Sequence, residues 1–177
     1  MNKKLSQIIA SASPIEVIGN ADINISGIAS DSRKIAKGWL FVAVHGVNID
    51  GHKFIPDVIV AGACAIVCEK IPEKTPDGVT FVKVANSAAA LGHIASEWYD
   101  NPSNELKLVG VTGTNGKTTT ATLLYEMTRM MGYKTGLFST VCNYIDTKQI
   151  PATQTTPDQI TLNKLMREMV DNGCEYA

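Results

Sequence analysis

Lys107-Leu-Val-Gly-Val-Thr-Gly-Thr-Asn-Gly-Lys-Thr-Thr-Thr-Ala-Thr-Leu-Leu124 decides how the rest of the chain is read. Short aliphatic residues lead into two glycines, then a lysine and threonines, then a segment with helical spacing. Strand, glycine loop and helix in that order make an anion site, because the first N–H groups of a helix are unpaired and carry partial positive charge. Gly113 and Gly116 let the backbone turn N–H groups inward without a Cβ clash. Lys117 can reach a terminal phosphate, and the Thr118 hydroxyl can ligate a Mg²⁺ ion that bridges phosphates. The common pattern G-x-x-x-x-G-K-[ST] needs glycine at position 111, yet that residue is Val111. The first glycine has moved to 113, which predicts a loop of different geometry with its anion-binding half intact. A plain strand–helix turn has no use for Gly, Lys and Thr together.

Working outward, apolar β-branched runs alternate with helical patterns, the mark of α/β architecture. Upstream, Trp39–Val44, Ala65–Cys68 and Thr80–Val84 read as strands. Phe54, Ile55, Val58 and Ile59 fall at helical spacing with Gly62 placed to end that helix, and a second helix is expected over 87–99 with Asn86 as N-cap. Asp100-Asn-Pro-Ser-Asn104 clusters turn formers and divides the chain into an expected N-terminal domain, 1–103, and a partial central domain, 104–177. In the second part, 106–111 reads as a strand and 118–131 as a helix with Leu124, Met127 and Met131 on one face. A further strand is expected at 134–140. Thr156-Pro-Asp-Gln159 reads as the start of a helix whose apolar face is Leu162, Leu165, Met166 and Met169. Cys174–Ala177 reads as the opening of another strand.

The 177 residues are 45% hydrophobic and 19% charged, enough to bury a core. A formal net charge of -1 gives no electrostatic case for nucleic acid or an anionic membrane as partner. Leu5–Ala10 is too short and too polar for a secretory leader, and no apolar run has membrane-spanning length. Cys64, Cys68, Cys142 and Cys174 lack zinc-ligand spacing and read as thiols in a reducing, cytoplasmic compartment. A nucleotide site of this kind also wants an acidic residue to complete the Mg²⁺ shell. Glu126, Asp146, Asp158, Glu168, Asp171 and Glu175 are the acids downstream of the loop, and none stands where such a ligand is needed. The chain therefore reads as the front part of a longer enzyme.

Gly113-Thr-Asn-Gly-Lys-Thr-Thr-Thr120 resembles the ATP loop of the Mur ligases, which carries this shifted glycine. Asp31-Ser-Arg33, Gly38-Trp-Leu-Phe-Val-Ala-Val-His-Gly46 and Asp50-Gly-His52 resemble the N-terminal domain of the tripeptide-synthetase branch of that family. Pro151-Ala-Thr-Gln-Thr-Thr-Pro157 resembles that branch's substrate loop. The resemblance implies a small α/β UDP-binding domain followed by a truncated P-loop α/β domain. It implies ATP-dependent addition of a third amino acid, meso-diaminopimelate or L-lysine, to UDP-N-acetylmuramoyl-L-alanyl-D-glutamate through an acyl phosphate, in peptidoglycan synthesis. The cofactors implied are ATP and Mg²⁺, and the partners are small molecules.

Carried over by position, Ser30 and Ser32 with Val47, Asn48 and Ile49 would hold the uridine end. Gly113, Thr114, Asn115, Gly116, Lys117, Thr118 and Thr119 would hold ATP, with Lys117 in the catalytic role and Thr118 on the metal. Gln154, Thr155 and Thr156 would hold the muramoyl peptide; Gln154 stands where some members carry asparagine. The family's carbamylated lysine, Glu-bearing metal motif and C-terminal domain fall outside these residues. Asp31-Ser-Arg33 also reads as a turn closed by its own ion pair. His93 reads as structural, whereas His45 and His52 flank the uridine turn. Two other functions stay open: a non-catalytic UDP-sugar and ATP-binding module, and a P-loop kinase or NTPase.

Overall fold

The computed structural model describes residues 2–46, 49–151 and 157–177. It divides into two compact units, Met1–Trp98 and Tyr99–Ala177.

The first unit runs β1 (Lys3–Lys4), α1 (Leu5–Ile9), β2 (Glu16–Ile18), β3 (Asn24–Ile25), β4 (Gly27–Ala29), β5 (Trp39–Val42), α2 (Ile55–Val60), β6 (Ala65–Cys68), β7 (Thr80–Lys83) and α3 (Ser87–Trp98). Its main sheet has the order β2-β7-β6-β5-β4. Strands β4 to β7 are mutually parallel, and β2 adds to β7 antiparallel at the edge. The continuous apolar runs of β5, β6 and β7 suit this, because a parallel sheet buries both faces. Alternate residues then go to opposite sides. Phe41, Ile66 and Phe81 pack with Ile55 and Val58 of α2 in one cluster. That leaves Leu40, Val42, Val67 and Val82, all fully buried, for the other face. Complete burial of each such side chain favours folding by ~1.5–3 kcal/mol.

Glycine at 27 is required by a neighbour. In register with Trp39 on β5, it lies so close to the indole that a Cβ would stand 2.3 Å from Trp39 Cε2. The α2 helix ends at Gly62, whose φ of +98 suits glycine. Asn86 begins α3, its side chain accepting from the Ala89 N–H at 2.9 Å.

The second unit contains α4 (Lys117–Met130), β8 (Gly136–Leu137), β9 (Cys142–Ile145), β10 (Lys148–Pro151) and α5 (Gln159–Asp171). The three strands form an antiparallel sheet of order β10-β9-β8. Met166 and Met169 of α5 cluster with Leu106, Ile145, Leu165 and Cys174.

Four local expectations change here. The strand expected at 106–111 is a single parallel bridge, Lys107 to Tyr176, held by Lys107 N–H to Glu175 O and Val109 N–H to Ala177 O. The strand expected over 134–140 shortens to β8, with a Thr135 bridge to Tyr176, because its pairing passes to a hairpin that the periodicity did not disclose. In that hairpin β9 and β10 are joined across Asp146, at φ +49. The cap of α5 is Asp158, which accepts from the Thr161 N–H at 2.8 Å and its hydroxyl at 3.0 Å; Thr156 lies outside the described residues. On α4 the residue fully buried is Tyr125, while Met127 and Met131 are 50% and 64% exposed. Tyr125 wins its place by two polar-compatible contacts, a hydroxyl donated to Asp146 O at 2.6 Å and a ring stacked on Tyr144.

Candidate functional site

In the second unit, the loop after Val109 runs exposed from Thr112 to Gly116 and ends on α4. Gly113 has φ +150 and Gly116 φ +76, the latter as the left-handed N-cap of the helix. No side chain caps that end. The first helical bond comes from Thr120 N–H to Gly116 O at 2.8 Å. The N–H groups of Lys117, Thr118 and Thr119 precede it and are free of intrahelical partners, as the first turn of any helix requires. This is a cradle of donors at the positive end of a helix dipole. A Cβ at Gly116 would meet nothing within 4 Å, so the glycine serves backbone conformation, not packing.

The cationic and hydroxyl groups converge on the same end. Lys117 Nζ donates to Gly113 O at 2.7 Å and to Thr114 O at 3.4 Å, folding back over its own loop. Thr118 Oγ1 lies 3.4 Å from Thr140 Oγ1. A triphosphate fits this set: unpaired N–H donors, an exposed ammonium on a long stem and a hydroxyl. For Mg²⁺ the chain offers the Thr118 oxygen, and among the described residues no group of three or more His, Cys, Asp or Glu side chains gathers around a metal position. Beside α4 lies a cavity of about 650 Å³ with Leu108, Val109, Leu124, Phe138 and Tyr176 among its walls. Those walls are apolar; Lys117, Thr118 and Thr140 also border the cavity and supply its polar groups.

In the first unit, the segments of interest leave the carboxyl ends of the parallel strands, where open α/β sheets bind ligands. Ser30 and Ser32 follow β4, and the stretch from Val44 to Gly51 follows the adjacent β5. Asp31 caps a short 3₁₀ turn, Ser32–Lys34, accepting from the Arg33 N–H at 3.1 Å. The Arg33 side chain closes on the same carboxylate, Nε to Oδ1 at 2.9 Å and a terminal nitrogen to Oδ2 at 2.8 Å. Arg33's side-chain hydrogen bond is the main reason the Asp31 carboxyl is lowered to about 2. Asp-Ser-Arg is thus a self-closed ion pair that frames the half-buried Ser32.

After β5, His45 and Asp50 form an antiparallel bridge. Gly46 N–H donates to Ile49 O at 3.1 Å and Gly51 N–H to Val44 O at 2.9 Å. Ile49 is 62% exposed. Val47 and Asn48 lie outside the described residues, as do Gln154, Thr155 and Thr156. The structure therefore assembles Ser30 with Ser32, and Gly113 through Thr119, each set within its own unit. Sequence reading passed over Glu69 and Ser87, at the ends of β6 and β7, where Glu69 Oε1 accepts from Ser87 N–H at 2.9 Å and Oγ–H at 2.8 Å. No spacing signal marks them, because their meeting is made by strand order.

Two family matches decide the assignment. The Mur ligase family catalytic domain matches residues 24–99, and the Mur ligase middle domain matches residues 111–177. The chain belongs to the Mur ligases. It is 54% identical over 174 residues to the UDP-N-acetylmuramoyl-L-alanyl-D-glutamate–2,6-diaminopimelate ligase of Bacteroides fragilis, a match that covers 98% of this chain and 36% of that protein. The chain thus spans about a third of the length of this curated relative. A solved structure of a UDP-N-acetylmuramoyl-L-alanyl-D-glutamate–2,6-diaminopimelate ligase superposes on all of this chain and 35% of its own, with TM-score 0.73 at 21% identity. The MurF ligase from Thermotoga maritima, crystallised with ADP, covers 84% of this chain and 30% of its own, with TM-score 0.53 at 28% identity. The two matched segments divide between the two units, and the second contains the whole of the glycine loop from Gly113 to Thr119.

Proposed function

We propose that this Mur ligase chain is the front part of an enzyme that adds meso-diaminopimelate to UDP-N-acetylmuramoyl-L-alanyl-D-glutamate in peptidoglycan synthesis, using ATP. The observation that carries the reading is the uncapped start of α4 behind Gly113 and Gly116, with Lys117 and Thr118 beside it. The name of the Bacteroides fragilis relative supports the choice of diaminopimelate over lysine.

The reaction is transfer of a phosphoryl group to the D-glutamate carboxylate, followed by attack of an amine on the acyl phosphate. Amide, ADP, inorganic phosphate and a proton result. Such chemistry asks for positioning and charge neutralisation more than for a protein nucleophile. In this reading the N–H groups of Gly113 through Thr119 receive the phosphates. Lys117 leaves its carbonyl contacts on Gly113 and Thr114 and turns its ammonium to the terminal phosphate. When bound, Mg²⁺ would supply Lewis-acid neutralisation of phosphate charge, with Thr118 Oγ1 as this chain's ligand. Ser30 and Ser32 hold the uridine end, with Val47, Asn48 and Ile49 on the neighbouring turn. Gln154, Thr155 and Thr156 hold the muramoyl peptide. Residues 1–103 form the UDP-substrate domain and 104–177 part of the ATP domain. Four free thiols and the nucleotide substrates fit a cytoplasmic setting.

Calorimetric titration of the chain with ATP and Mg²⁺, and separately with the UDP-linked dipeptide, tests the reading. Saturable heat is expected from both. Heat from neither ends it.

A further inference from the structure

Leu108-Val109-Gly110-Val111 is apolar at every position, as Trp39-Leu40-Phe41-Val42 is in the first unit. In the first unit the pattern meets its physical demand. Leu40, Phe41 and Val42 are 0%, 1% and 0% exposed, in a parallel sheet that buries both faces. In the second unit the demand is unmet, with Leu108 50% and Val109 58% exposed. The backbone is satisfied on one side only. Lys107 N–H donates to Glu175 O at 2.8 Å and Val109 N–H to Ala177 O at 2.9 Å, while Lys107 O accepts from Ala177 N–H at 3.2 Å. Successive residues of an extended chain turn their backbone groups to opposite sides, so those of Leu108 and Gly110 face the other edge. Among the described residues, no backbone group pairs with them there. Leu108, Val109 and Met127 of α4, itself 50% exposed, border the same cavity of about 650 Å³. An unpaired strand edge beside an apolar hollow is a surface built to be covered.

We propose that the free edge of residues 107–111 is an interaction surface for a further strand of the same polypeptide, from the part of the protein outside residues 1–177. That strand pairs in parallel through Leu108 and Gly110, and the crossover that carries the chain to it closes the cavity. The proposal rests on the reading above that this chain is the front part of a longer enzyme. Chain is available for it, because the Bacteroides fragilis relative is matched over only 36% of its length. Parallel pairing continues what is present: Tyr176 already bridges in parallel to Lys107 on one side and to Thr135 on the other. A parallel strand also needs a connection of a dozen or more residues, usually a helix, laid across a face of the sheet. Leu108, Val109 and Met127 are the apolar seat for that connection. A second copy of this chain fits less well. Two-fold pairing of one edge with itself is antiparallel, and it brings no crossover to fill the hollow.

The test compares the 177-residue chain with the intact protein, first without any substitution. Hydrogen exchange at the Leu108 and Gly110 amides is expected to be fast in the 177-residue chain and at least roughly a hundredfold slower in the intact protein. Met127→Cys, labelled with a maleimide and read by peptide mass spectrometry, is expected to react at least about tenfold more slowly in the intact protein, since access governs thiol reactivity. Equal exchange of Leu108 and Gly110 in the two proteins overturns the pairing, and equal labelling of Met127→Cys overturns the closure of the cavity. Protection already present in the 177-residue chain, with a doubled mass in sedimentation, makes the occupant a second copy and overturns the proposal. Protection in an intact protein that joins no diaminopimelate to the UDP-linked dipeptide supports the cover and overturns the reading beneath it. Equal exchange in an intact protein that does join them overturns the cover alone.

Discussion

Lys117→Ala isolates the phosphate contact from everything else the loop does. The Lys117 ammonium is exposed and spends its charge on loop carbonyls, at 2.7 Å from Gly113 O and 3.4 Å from Thr114 O. Those carbonyls face solvent, so truncation leaves no buried acceptor unpaired, and stability is expected to move by no more than about 0.5 kcal/mol. With ATP bound, the ammonium trades the Gly113 carbonyl for phosphate oxygens. A charge-assisted hydrogen bond is worth ~1.5–3 kcal/mol and the exposed neutral acceptor it gives up ~0.5–1 kcal/mol, leaving a net ~1–2 kcal/mol. At about 1.4 kcal/mol per decade, ATP affinity is expected to fall roughly five- to thirtyfold. Calorimetry with ATP and Mg²⁺ reads this directly, and a titration with the UDP-linked dipeptide serves as control. ATP affinity within twofold of wild type refutes the assignment of Lys117. Equal loss of both ligands refutes the division of ligands between the two units.

Acid should loosen the first unit through Asp31 and Asp50, each held at about 2 against an ordinary value of about 4. A carboxyl depressed in the folded state stabilises above its unfolded value, and that stabilisation is lost as pH falls from about 4 through about 2. Both tryptophans, Trp39 and Trp98, lie in this unit, so fluorescence-detected unfolding follows it selectively, and replacing both aspartates with Asn should flatten the slope. Gly27→Ala is expected to destabilise the first unit by at least ~1–3 kcal/mol, because its methyl would meet the Trp39 indole at 2.3 Å; a denaturation midpoint equal to wild type refutes that packing. Burial pushes the Cys68 thiol up to about 11, so alkylation of this residue at neutral pH, followed by mass spectrometry, should wait for unfolding. Asp158→Ala should cost ~0.5–2 kcal/mol by uncapping α5, read as loss of helical circular dichroism on urea titration.

The core strands were legible because residues such as Trp39–Val42 and Ala65–Cys68 are apolar at every position, a pattern that burial on both faces of a sheet accounts for. The glycine loop and the helix it opens were legible because their residues are contiguous. What escaped was set by pairing. The β9–β10 hairpin turns on Asp146 in a left-handed conformation, without the Asn-Gly or Asp-Gly signal that marks such a turn. The segment after Leu106 carries strand-like residues, yet strand assignment needs a partner along its length, and here its partner is Glu175–Ala177. Leu124 and Met127 had the right spacing for a buried stripe but line the cavity beside α4, and spacing alone says nothing of what stands opposite. The His52–Glu69–Ser87 chain was invisible for a similar reason: residues 17 and 18 apart in sequence meet only because β5, β6 and β7 lie side by side.

The same piece of backbone physics serves both units. In each, candidate ligand groups sit just beyond the carboxyl end of a parallel-paired segment: β4 and β5 in the first, the residues around Lys107 paired with Tyr176 in the second. Parallel pairing forces the chain to leave that edge by a crossover, so loops collect there, and a helix beginning beside the edge turns free N–H groups toward it. The two edges then diverge in chemistry through their side chains. Around the first stand Asp31, Asp50 and Glu69, each already engaged by Arg33, His52 or Ser87. Their charges are consumed in shaping loops, and under the function proposed above hydroxyls such as Ser32 would meet a neutral, hydrogen-bonding ligand face such as a uracil ring. At the second the loop has no carboxylate between Gly113 and Thr119, and one ammonium held only by carbonyls. An uncompensated cation among free N–H groups selects an anion. Introducing an acid there, as in Asn115→Asp, should abolish ATP binding while sparing uridine diphosphate, and ATP affinity that survived the added charge would show that the phosphates bind somewhere else.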